Sequence, residues 1–84
     1  MYILFLLDPL HYLRLVEFAP KGSSAYLALA QADPPGLLNS LSKTEYTVNC
    51  DLPAAEALHD LATRHCREAL PAIEAAIAKS SGGA

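Results

Sequence analysis

The chain reads as an α+β domain: a small, mainly antiparallel sheet of three to four strands, with a short helix and a long C-terminal helix packed on one face. Three observations lead there. The run Tyr2–Leu7 is apolar at every position and too short to stand as a lone helix. Short segments rich in β-formers alternate with turn chemistry at Asp8-Pro9, at Ala19–Ser24 and at Asp33–Gly36. The last third carries apolar residues at helical spacing behind a capping aspartate.

Taken in order, Tyr2–Leu7 is expected to be a strand covered on both faces or lying at an interface. Residues 9–18 admit two readings. The polar residues His11, Arg14 and Glu17 recur every three positions, which suits a helix capped by Asp8 with Pro9 in its first turn. Tyr12, Val16 and Phe18 favour a strand, and Asp8-Pro9 also suits a hairpin turn. The balance falls to hairpin strands, because Ala19–Ser24 followed by Ala25–Gln31 looks like a second antiparallel return. Pro34–Ser42 is read as a short helix and Thr44–Cys50 as a strand through Tyr46, Thr47 and Val48.

Asp51 is the expected N-cap of the final helix, with Pro53 in its opening turn and Lys79 in its last. At 100° per residue, Ala55, Leu58, Ala62, Cys66, Ala69, Ile73, Ala76 and Ile77 form one stripe facing the sheet. Glu56, Asp60, Arg64, Arg67 and Glu74 fall opposite, with Asp60–Arg64 and Arg64–Glu68 as i,i+4 pairs. An unbroken helix from Pro53 to Lys79 would measure ~40 Å, whereas a globule of this size is roughly 30 Å across. A kink near Pro71 is therefore expected. The tail then bends back over the sheet, or Ile73, Ala76 and Ile77 project and form an interface with a second copy. Residues 1–79 make a single compact domain, 80–84 a frayed tail, and no internal repeat is found.

Composition restricts function. Of 84 residues, 52% are hydrophobic and 18% charged, so a body this small is left with apolar surface to cover. The net charge is −3 and the six basic residues are scattered, which argues against nucleic acid. The apolar start has no basic flank and is too short for a membrane span, so no membrane partner and a cytoplasmic location are expected. Cys50 and Cys66 would stand roughly 20 Å apart along the helix, beyond the ~7 Å reach of a disulfide, so two free thiols are expected.

The span Leu58–Pro71 gathers two histidines, a cysteine, an aspartate and two arginines. His59, His65 and Cys66 cannot converge on one ion from a straight helix, because ligands meet only at i,i+3 or i,i+4 spacing. Glu56 and His59 make a single E-x-x-H pair, the weak metal candidates. Cys66 is expected in the core, away from any activating base, and no phosphate-binding or nucleophile-elbow motif occurs. His59 and His65 are the remaining weak catalytic candidates, as acid or base near neutral pH.

No cofactor is implied. The expected function is a small acidic, non-enzymatic protein-interaction module acting as a homodimer, of adaptor, chaperone or inhibitor type. A metal- or histidine-dependent small enzyme and a small-molecule sensor domain are the alternatives.

Overall fold

A computed structural model describes residues 3–32 and 45–82. Two strands, β1 (Ile3–Leu7) and β2 (Tyr46–Cys50), pair antiparallel. Among the described residues four helices accompany them: α1 (Pro9–Phe18) and α2 (Ser24–Ala32) follow β1, while α3 (Leu52–His65) and α4 (Leu70–Gly82) follow β2. A single 3-10 turn, Arg67–Ala69, joins the last two.

The class is α+β, but the sheet has two strands among the described residues rather than three to four. The missing strands are helices. Asp8 accepts a hydrogen bond from the Leu10 amide at 2.8 Å and Pro9 opens α1, so the capping reading of residues 9–18 prevails over the hairpin. Tyr12 and Leu15 turn inward with Ala19 while Arg14 and Glu17 face solvent, a period near four that no strand could satisfy.

The second expected return, Ala25–Gln31, is helical because it consists of alanine, leucine, tyrosine and glutamine with no β-branched residue. Its start is a Ser23 cap: the hydroxyl accepts from the Tyr26 amide at 3.2 Å and donates to the Pro20 carbonyl at 2.7 Å. Gly22, at φ 87°, supplies the left-handed residue of this turn. A Cβ there would meet no neighbour, so backbone conformation alone calls for glycine. The short helix expected over Pro34–Ser42 lies outside the described residues.

The long C-terminal helix is two helices. The chain leaves helical geometry at Cys66 (φ −154°, ψ 73°), five residues ahead of Pro71, and Pro71 sits in the first turn of α4. A proline in mid-helix would clash with the carbonyl of residue 67 and cannot donate to it. Breaking before the proline and restarting with it at a permitted position removes both penalties. The Cys66 amide still bonds the Ala62 carbonyl at 2.8 Å, and the Ala69 amide bonds the Cys66 carbonyl at 3.0 Å.

The start of α3 follows the sequence closely. Asp51 accepts from the Ala54 amide at 3.1 Å with Pro53 in the first turn. Asp51→Ala is expected to lower unfolding free energy by about 1 kcal/mol, read by urea titration.

Both strands alternate buried and exposed residues, so helices cover one face only. β1 is thus not covered on both sides: Ile3, Phe5 and Leu7 point into the core, and Leu4 and Leu6 point out. The helical stripe from Ala55 to Ile73 is buried as its spacing requires, Cys66 included. One core joins the six inward strand residues to Tyr12, Leu15, Leu29, Leu58 and Ile73.

Among the described residues the α-helices and strands follow a repeated β-α-α order, and the pairing register is symmetric about Phe5 opposite Val48. Each strand runs into an aspartate cap and a proline, Asp8-Pro9 and Asp51-Leu52-Pro53. The second helix of each unit packs on the strand of the other, α2 on β2 and α4 on β1. The fold therefore contains a repeat in topology that residue identities conceal.

Candidate functional site

Three places bring together the residues that chemistry or binding would need: a cleft between α3 and α4, the contact of α3 with α1, and a groove between β1 and α4.

The first cleft, about 480 Å³, is lined by Glu56, His59, Glu74, Ile77 and Ala78. The bend at Cys66 folds α4 back along α3, which carries Glu74 to His59 across fifteen positions of sequence. The His59 Nε2 lies 2.9 Å from Glu74 Oε2, and the His59 carbonyl accepts from the Thr63 hydroxyl at 2.8 Å. The hydrogen-bond partner of His59 is thus Glu74 on the next helix, rather than Glu56 at i−3. Among the described residues, no group of three or more His, Cys, Asp or Glu side chains is placed to hold a metal ion.

The His59–Glu74 side chains are 36% and 58% exposed, so water screens the pair and its contribution is small. In a double-mutant cycle with His59→Ala and Glu74→Ala, the coupling free energy is expected at about 0.5 kcal/mol or below, measured by chemical denaturation. A carboxylate-held imidazole is half of a general-base device. The other half, a hydroxyl or thiol nucleophile, is not among the residues lining this cleft.

His65 stands elsewhere. Its ring stacks on Phe18 of α1 with centroids 4.1 Å apart and planes parallel, an aromatic contact that closes the end of α3 against α1. The two histidines therefore have different partners on different helices and form no joint site. Arg64 reaches Asp60 at 3.5 Å on the exposed face of α3. The helix stops at His65, so Glu68 belongs to the 3-10 turn rather than the next helical turn.

Both cysteines are free thiols and buried. Burial pushes the Cys50 thiol above its ordinary pKa, and the neighbouring Asp51 charge adds to the rise. Burial is also the main cause at Cys66, where the Glu68 charge reinforces it and the Ala69 hydrogen bond and the Arg14 charge oppose it. Raised thiol pKa values suppress the thiolate form and hence nucleophilic chemistry.

Of the three expected interface residues, Ile73 is fully buried within the fold, and Ala76 and Ile77 are half-buried against the core. The tail has bent back over its own domain. Ala76 also lines the groove beside β1, about 310 Å³, together with Leu4, Leu6, Ala72, Ala75 and Lys79. Leu4 is 59% and Leu6 48% exposed. The sequence signal for this groove was the unbroken apolar run Tyr2–Leu7. Ala72 and Ala75 carry no such signal, since small residues on a helix become a trough only when a strand lies beside them.

No helix among the described residues is long and apolar enough to cross a membrane. No protein-family model, curated protein or solved structure matches the chain.

Proposed function

We propose that this chain is a non-enzymatic protein-interaction module that works as a homodimer. One observation supports the reading above the rest. Among the described residues, five large apolar side chains, Leu4, Leu6, Leu10, Phe18 and Leu27, are 44% exposed or more after the core is filled. Isolated exposed leucines are ordinary on any surface. Two on adjacent outward positions of one strand, beside a row of alanines, make a contiguous patch of the kind that protein contacts cover.

The placement of the polar side chains favours the same reading. The buried thiols, the histidines with separate partners and the absence of a nucleophile from the His59 cleft give no assembled catalytic unit among the described residues. A scattered set of basic residues and net charge −3 give no phosphate-binding surface.

Sedimentation equilibrium over about a hundredfold range of concentration tests the reading. The weight-average mass is expected to rise from that of the 9.0 kDa chain toward twice that value. A mass that stays at one chain throughout would overturn the homodimer.

A further inference from the structure

Resting on the reading above, we propose that the groove between β1 and α4 is the dimer surface, with Leu4 and Leu6 of one copy seated in the alanine trough of the other. The two topological halves of the molecule supply an internal comparison. By strand position, Leu4 corresponds to Thr47 and Leu6 to Asn49, and all four face outward from the same sheet. The groove equivalent to the β1–α4 groove lies between β2 and α2, and its lining mixes Ser24, Gln31, Asn49 and Asp51 with Leu27, Ala28, Cys50 and Ala54. The same place in the fold is thus of mixed polarity on one side and almost wholly apolar on the other. Since threonine and asparagine occupy these positions in β2, the fold does not require leucine in β1. Something other than folding accounts for the apolar choice.

A second copy fits this surface for three reasons. A two-fold dimer needs a patch complementary to itself. Here a ridge, Leu4 and Leu6, runs beside a hollow, Ala72, Ala75 and Ala76, so rotation by 180° brings each ridge to the other hollow. Lys79 is the one charged residue lining the groove, which leaves little for a charged partner to engage.

The area is also informative. A five-residue strand is about 17 Å long, and strand plus neighbouring helix are roughly 20 Å wide, giving a footprint of roughly 350 Å² in projection. Specific interfaces start near 600 Å² of accessible surface per partner. A patch of this size supports a weak dimer that forms and dissociates with concentration, with a Kd in the micromolar range or above.

The test is Leu4→Thr with Leu6→Asn, which writes the β2 residues into β1. Threonine suits a strand, and neither side chain is in the core, so an unchanged thermal melt at low concentration verifies the fold. Ala75→Glu, a good helix former at an exposed site, blocks the hollow independently. Each variant is expected to raise Kd at least tenfold in sedimentation equilibrium.

Mixing Leu6→Cys chains with Ala75→Cys chains under mild oxidation is expected to give a mixed disulfide dimer, because no single chain then holds both introduced thiols and the native Cys50 and Cys66 are buried. A Leu27→Cys chain paired with Ala75→Cys should give far less. Wild-type dimerisation that survives both surface variants, or cross-linking no better than the Leu27→Cys control, would overturn the groove assignment while leaving the homodimer intact. Failure of the wild-type chain to dimerise would overturn both. Monomeric chain that co-sediments with phosphatidylcholine vesicles through Leu4 and Leu6 would give the surface to lipid and likewise overturn the proposal.

Discussion

Tyr12→Ala is expected to leave most of the chain unfolded at 25 °C. The Tyr12 side chain is completely buried and ties three elements together. It projects from α1, its ring stacks on Tyr46 of β2 with centroids 3.9 Å apart and planes 5° from parallel, and its hydroxyl donates to the Leu29 carbonyl at 2.6 Å. That carbonyl lies in the last turn of α2. The phenol therefore satisfies a helix-end acceptor and fills core volume at once. Removing a buried aromatic side chain costs about 3–5 kcal/mol, comparable to the total stability of a domain this small. Tyr12→Phe keeps the ring and removes only the donor, so a loss of about 1–2 kcal/mol is expected. Urea denaturation followed by circular dichroism separates the two; equal losses would mean that the hydrogen bond to α2, not the ring packing on β2, carries the contribution of Tyr12.

The second large effect is the protection of the thiols. Cys50 is 6% and Cys66 5% exposed, and burial raises both pKa values, so alkylation by iodoacetamide must await opening of the fold. Both cysteines are expected to react about a thousandfold more slowly than in the unfolded chain, and with similar rates, since both sit in one core. Quenched-flow labelling with mass spectrometry reads the two sites separately. Rapid labelling of Cys66 alone would mean that the α3–α4 bend opens by itself.

The same shifts link stability to pH. An unfolded thiol ionises near the ordinary value of 9.0, whereas the folded thiol keeps its proton to higher pH. The folded state then binds more protons, so stability is full below that value and falls as pH rises through and beyond it. Each thiol contributes a slope of up to about 1.4 kcal/mol per pH unit across the window between the two pKa values. Cys50→Ala and Cys66→Ala should each flatten the alkaline decline seen in thermal melts.

Where sequence and structure differ, local signals point both ways. In residues 9–18 the aromatic and β-branched residues favour a strand, yet a satisfied cap and a four-residue inward period outweigh weak β preference once Tyr12 finds the core. The turn before Ala25–Gln31 suits a hairpin return, whereas the alanines of the segment favour a helix. The sulfur of Cys66 is buried as the wheel required, although the helix does not run through it. Of the candidate polar residues, spacing alone paired His59 with Glu56; its actual partner, Glu74, arrives only because the chain reverses between them.

What the sequence determines by itself is local: the Asp51 cap with Pro53, the strands at Ile3–Leu7 and Tyr46–Cys50, and the buried stripe from Ala55 to Ile73. Each depends on residues within a few positions of one another, where propensity and periodicity act directly. The number of strands, the bend at Cys66, the His59–Glu74 contact and the groove of Leu4 and Leu6 against Ala72 and Ala75 were decided by the tertiary structure. These depend on which faces meet across long stretches of chain, and such meetings are selected by burial of the whole core rather than by any residue's own preference.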